Sequence, residues 1–151
     1  MLCSVIPAFD QLGRLPPGVH VATWDEITAR FGGTSWRTRL LDGLRGALAS
    51  LKEAGCAVAY VDGSFVTAKS EPGDFDACWD EHGVDPEMLD PVLLDFTNKR
   101  AAQKAKFSGE LFPATSFADF AGTSFLQFFQ TDRATGDQKG IIAIDLKGWQ
   151  P

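Results

Sequence analysis

Cys56-Ala-Val-Ala-Tyr-Val-Asp-Gly-Ser64, followed after nine residues by Asp74-Phe-Asp-Ala-Cys-Trp79, is the stretch whose reading decides the fold. Residues 56–61 form a short apolar run rich in strand formers and read as a buried strand. The run stops at Asp62-Gly-Ser64. A turn or short helix is expected over 64–70 and a loop at Glu71-Pro-Gly73. Residues 74–79 then read as a second strand, polar and apolar alternating at its start.

Outward from this pair the chain reads as follows. Residues 1–20, broken by Pro7, Gly13, Pro16, Pro17 and Gly18, are expected to be an extended lead-in packing over the domain, and the lead-in as a whole reaches residue 34. Within it Thr23 caps a short helix to Arg30, with Asp25 and Glu26 in its first turn, and Gly32-Gly33 ends it. Ser35 opens a longer helix to about Ala54, because Leu40, Leu41, Leu44, Ala47, Leu48 and Leu51 recur at three- and four-residue steps. Beyond the strands, 86–105 reads as helix in two pieces broken near Phe96-Thr97, and 107–112 as a third strand. Residues 116–129 read as an aromatic-rich helix and 140–146 as a last strand. Helices first, then strands alternating with helices, predict one α/β or α+β domain over 1–151: a small mixed sheet flanked by helices.

Composition bounds the function. A chain of 151 residues holds one ordinary core and buries about 70% of its unfolded surface without needing disulfides. Three cysteines, Cys3, Cys56 and Cys78, are too few and too widely spaced for a disulfide framework or a zinc site. No leader-like segment and no run of ~20 apolar residues is present, so a cytoplasmic protein with no membrane partner is expected. A net charge of −6 argues against nucleic-acid binding over the whole surface and leaves one dense basic cluster, Lys99, Arg100, Lys104 and Lys106. Six of the twelve Phe lie within 112–129, which reads as core, or otherwise as a docking face for a partner.

The chemistry sits in the opening stretch. Residues two apart on a strand share a face, ~7 Å apart, so Asp74 and Asp76 point the same way while Phe75 points into the core. Two like charges so placed call for a cation, and Mg²⁺ or Mn²⁺ suits carboxylate oxygens together with substrate phosphates. Gly63-Ser64 after the first strand lets the backbone approach a phosphate and offers a hydroxyl. Phosphoryl transfer needs little more than such positioning and charge stabilisation. Thr67 is read as assisting Ser64 or satisfying its own turn. Lys69 is read as a phosphate contact or a solvated loop lysine, and Arg100 and Lys104 as a pair for phosphate or an RNA backbone, or as a solvated helix face.

Tyr60-Val-Asp-Gly-Ser-Phe-Val-Thr67 with Asp74-Phe-Asp76 resembles the signature of the nucleotidyltransferase superfamily related to DNA polymerase beta. Five further stretches extend the likeness along nearly the whole chain: Leu15-Pro-Pro-Gly-Val-His20, Arg30-Phe-Gly32, Arg39-Leu-Leu-Asp-Gly-Leu44, Phe128-Phe-Gln130 and Lys139-Gly-Ile141. Together they resemble small bacterial nucleotidyltransferase-like proteins known only as a domain of unknown function (DUF6932-like). The resemblance implies that Gly63 and Ser64 hold the triphosphate of an NTP such as ATP and that Asp74 and Asp76 bind the catalytic metal. It also implies a third acid on a later strand, Glu110 first and Asp145 second. It further implies transfer of a nucleotide to a hydroxyl of RNA (a tRNA end, for example), protein or a small molecule, with a toxin–antitoxin or defence role, a protein partner such as an antitoxin, or a homodimer completing the site. The alternatives are a catalytically degenerate module binding nucleotide or a protein partner, and a Mg²⁺-dependent phosphatase using the same aspartates.

Overall fold

The computed structural model describes residues 6–151. Five strands and four α-helices build an α+β domain around one mixed sheet. The strands are β1 (Gly18–Val21), β2 (Val58–Asp62), β3 (Phe75–Trp79), β4 (Gly109–Pro113) and β5 (Gly140–Asp145), in the order β1-β5-β2-β3-β4. β2 runs antiparallel to both β3 and β5, whereas the outer pairs β1/β5 and β3/β4 are parallel.

The helices are α1 (Trp24–Phe31), α2 (Ser35–Glu53), α3 (Thr97–Phe107) and α4 (Phe125–Phe129). α1 starts where the sequence indicates. The Thr23 hydroxyl accepts from the Glu26 amide while the Glu26 carboxylate accepts from the Thr23 amide, satisfying two otherwise orphaned donors. α2 buries the expected stripe, Leu40, Leu41, Leu44, Ala47, Leu48 and Leu51, against the sheet face formed by Ala59, Val61, Phe75, Ala77, Leu111, Ile142 and Ile144. A smaller cluster covers the opposite face, where Phe129 of α4 meets Cys78, Ala114 and Ile141, with Tyr60, Phe112 and Phe125 packed around them.

Four expectations change. The lead-in is not wholly extended coil: Gly18–Val21 forms a parallel edge strand on β5, since a short stretch with free backbone groups can pair with a late strand that local patterning does not reveal. That part of the lead-in covering residues 1–5 lies outside the described residues. The segment before α3 is two short 3₁₀ turns, Pro86–Met88 and Pro91–Leu94, each opened by an aspartate whose carboxylate accepts a main-chain N–H. The proposed helix at 116–129 shrinks to α4, because Asp119 holds a tight turn by accepting from the amides of Ala121 and Thr123. Phe117 and Phe120 on that turn are 72% and 111% exposed, so they are not core. Among the described residues, no helix is long and apolar enough to cross a membrane.

The contact between α2 and α3 depends on Gly43. A Cβ there would stand 1.8 Å from the Phe107 carbonyl oxygen. Helix propensity alone would favour alanine by ~1 kcal/mol, but the main chain of Phe107 has no room to yield. Gly43→Ala is therefore expected to lose about 1–3 kcal/mol in urea unfolding. A variant as stable as the parent or more so would overturn this account of the packing.

Candidate functional site

Strand pairing assembles a row of acids that the sequence shows only in part. Asp62 lies opposite Asp76 in the β2/β3 ladder, and Asp76 lies beside Glu110 in the β3/β4 ladder. Paired residues in adjacent strands project to the same face, so three carboxylates stand side by side across three strands. Asp74 joins them from the residue before β3. This is the face that α4 covers farther along, so the acids sit at one end of the smaller aromatic cluster.

The row is electrostatically crowded. Burial pushes the Asp76 carboxyl up to about 8, with the charges of Asp74, Asp62 and Glu110 and a hydrogen bond to Glu110 adding to the shift. Asp74 is raised by burial and then by Glu110, against the opposing pull of Lys104. Asp62, 4% exposed, is raised by burial although Lys139 Nζ lies 2.5 Å from its Oδ1. Glu110 goes the other way. Burial would raise it, but Arg100 donates to it at 2.7–2.9 Å, Lys104 stands at 3.4 Å and Asp76 shares a hydrogen bond, which together hold it below its ordinary value. As placed, no three Asp, Glu, His or Cys side chains among the described residues converge on one ion position.

The row borders a cavity of about 290 Å³ lined by Asp62, Gly63, Ser64, Thr67 and Asp76 on one side and by Phe128, Phe129 and Thr131 on the other. Three cations, Arg14, Arg133 and Lys139, also line it. Gly63 has φ +88°, and a Cβ there would lie 3.0 Å from Asp76 Oδ2 and 3.1 Å from Asp76 N. Glycine is thus required both by the left-handed backbone and by the approach to the acid. Arg14 is held by Asp10 at 3.0 Å and Asp132 at 2.8 Å, which ties the lead-in to the loop before β5. Arg133 lies over the Phe128 ring at 5.5 Å.

The loop carrying Gly63-Ser64 is anchored from α2. The buried Arg37 guanidinium donates to the carbonyls of Phe65 (2.7 Å), Thr67 (2.9 Å), Lys69 (2.6 Å) and Phe31 (3.0 Å). Trp36 Nε1 adds a bond to the Pro72 carbonyl at 2.5 Å. Four carbonyls on one planar fork fix both the loop's path and its distance from the helix.

The expected residues thus fall into three groups. Gly63, Ser64, Thr67 and Asp76 meet at the cavity, with Thr67 donating its hydroxyl proton to the Ser64 carbonyl at 2.6 Å. Asp74, Arg100 and Lys104 gather around Glu110 and the β3/β4 end of the row. Lys69 is exposed and meets the site through its main chain, which receives Arg37 and donates to Thr67. Asp145 pairs with Val58, four residues along β2 from Asp62, which puts it ~13 Å from the row. It borders instead a separate cavity of about 420 Å³ with Trp24 and Trp149.

Sequence reading passed over Asp62, Arg14, Arg133 and Lys139. Asp62 carried part of a signal, since alternation puts it on the Tyr60 face, opposite the buried Ala59 and Val61, but its place beside Asp76 comes from strand pairing. Arg14 and Lys139 carried none, because each meets its partner across 118 or 77 residues of chain. Cys56 and Cys78 are buried, and burial raises both thiols, Cys56 to about 11, so neither is a ready nucleophile.

No curated protein and no solved structure matches the chain. The profile of a family of unknown function, DUF6932, matches residues 7–145, and the chain belongs to that family.

Proposed function

We propose that the protein is a nucleotidyltransferase that moves a nucleotide from an NTP to an acceptor hydroxyl. One observation carries this reading: Asp62 and Asp76, two acids of a four-carboxylate row, line a cavity that also presents Gly63-Ser64 and the cations Arg14, Arg133 and Lys139. Phosphates need cations and close backbone, and the transfer needs acids at the reacting oxygens. In the reaction the acceptor oxygen bonds to the α-phosphorus and the α–β P–O bond breaks. Pyrophosphate leaves with the electron pair, and the acceptor proton passes to a carboxylate or to water. Lys139, Arg133 and the Gly63-Ser64 loop would hold the polyphosphate, with Arg37 keeping that loop in register. Lys69 would be peripheral. Arg100 and Lys104 would counter the charge of Glu110 rather than receive phosphate.

The donor set suits Mg²⁺ or Mn²⁺, being hard carboxylate oxygens whose mutual repulsion a divalent cation relieves. Asp74, Asp76 and Glu110 would hold it, and the bound ion would supply charge stabilisation at the phosphoryl oxygens. A second reading, a module that binds a nucleotide or a protein partner without turnover, is favoured by the engagement of Glu110 with two cations. No feature of the site favours a phosphatase. A partner protein such as an antitoxin, or a second copy of the chain, would complete the acceptor side in a domain this small.

Two measurements test this reading. With α-³²P NTPs, Mg²⁺ or Mn²⁺ and total RNA or total protein as acceptor, Asp74→Asn with Asp76→Asn should reduce label transfer at least about 100-fold while circular dichroism stays unchanged. A double variant as active as the parent removes these residues from the site, and nucleotide binding by the parent without transfer to either acceptor pool favours the module.

The second measurement is thermal. The raised carboxyl of Asp76 binds a proton in the folded chain that the unfolded chain releases, so its contribution to stability is full below about pH 4 and is lost as pH rises through about 8. In chelator, Asp76→Asn should therefore unfold about 2–5 °C above the parent at pH 8 and at nearly the same temperature at pH 4.5. Adding Mg²⁺ should raise the parent's midpoint and leave the variant's unchanged. Equal responses of the two proteins to Mg²⁺ would count against the metal assignment.

A further inference from the structure

A second cleft opens at the Glu110 end of the acid row, away from the Gly63-Ser64 cavity. It has a volume of about 260 Å³ and is lined by Phe96, Arg100, Phe112, Pro113, Ser116 and Phe125. Its walls are ordered aromatic surface. The Phe112 ring lies parallel to Phe125 at 4.0 Å and nearly parallel to Phe96 at 6.0 Å, while the Arg100 guanidinium stands 5.6 Å over Phe112. Phe96 is 39% exposed, so its ring forms an open rim. Arg100 is thus shared between the cleft and Glu110, to which it donates. Its backbone, with those of Asn98 and Lys99, is left-handed, a conformation costing ~1–2 kcal/mol per residue. This strained turn carries the guanidinium to the junction of the two features.

We infer that this cleft takes a nucleobase of the acceptor, so that the acceptor is the end of a single-stranded nucleic acid; the inference rests on the nucleotidyltransferase reading above. Three observations support it. The walls offer flat aromatic faces and a guanidinium, which stack on any base without requiring a sequence. Phe112 follows Glu110 by two residues on the same strand face, ~7 Å away, which is the reach of one nucleoside from a sugar hydroxyl at the acid to a base in the cleft. A tyrosine acceptor does not fit that spacing, because its hydroxyl is fixed to the ring and cannot reach the acid while the ring fills the cleft. Charge also agrees. Arg100 and Lys104 face two carboxylates, Glu110 and Asp74, and Lys99, exposed beside them, has no acidic partner among the described residues. The local surplus is small, so stacking rather than phosphate contact would dominate, and affinity would fall only gently with salt.

The test uses the full chain with Mg²⁺ and two separate probes: fluorescence anisotropy of a 5′-fluorescein hexa-adenylate RNA, and binding of a fluorescent ATP analogue. Phe96→Ala removes an exposed rim ring and should leave the fold intact. It is expected to weaken the RNA roughly 10-fold or more without changing the ATP analogue's affinity, and Phe96→Trp should restore RNA binding. RNA binding without binding of the ATP analogue would support the cleft and sink the nucleotidyltransferase reading. The inference is overturned if the ATP analogue binds and the RNA does not, if Phe96→Ala binds RNA as well as the parent, or if a tyrosine-containing peptide competes with the RNA for the cleft.

Discussion

Crowding several carboxylates side by side, Asp62 buried and the others partly buried, is the constraint to which the rest of this structure answers. Asp62, Asp76 and Glu110 share a rung across three strands, and Asp74 adds a fourth charge one step away. Such a row is unfavourable unless cations or protons relieve it. The protein supplies both. Lys139 approaches Asp62 from the start of β5, Arg100 and Lys104 approach Glu110 from α3, and Asp76, between the two ends, is pushed toward its protonated form. The two cation groups come from opposite flanks of the sheet. The acids therefore set where α3 and the segment before β5 must lie.

Positioning of the Gly63-Ser64 loop follows a different logic. No ordered ladder holds residues 63–73, yet the loop must keep glycine backbone against Asp76. Arg37 does this with a buried guanidinium bonded only to carbonyls, its pKa lowered by burial alone. A charge placed there without a carboxylate partner would be costly if its donors were unmet. Bonding to four carbonyls offsets that cost and makes the loop a rigid extension of α2. Gly13 adds a tether by accepting from the Ala68 amide at 3.0 Å, which joins the lead-in to the same loop.

The acid row also separates two surfaces of unlike chemistry. Toward β5 it meets cations and the Gly-Ser loop; toward the β4 edge it meets stacked phenylalanines. The aromatic side depends on the turn at Asp119, which ends the β4–α4 connection early enough for Phe125 to lie on Phe112. A continuous helix over 116–129 would have spent those rings on one packing stripe. Local side-chain capture of main-chain amides overrode the apolar pattern there.

Much of the architecture was legible in the chain itself. The helical stripe of α2, the Thr23 cap, the apolar run of β2 and the alternation at Asp74-Phe-Asp76 are local signals, carried by periodicity and by hydrogen bonds within a few residues. They identified the α+β class, the Gly-Ser turn and two acids of the row. Tertiary structure alone decided what lies far apart in sequence: that β1 pairs with β5, that Glu110 rather than Asp145 stands beside Asp76, that Asp62 completes the row, and that Lys139 and Arg14 reach the cavity. The reason is register. A strand's pattern tells which residues share its face, but only pairing with a neighbour tells which residues share a rung, and charges act across rungs.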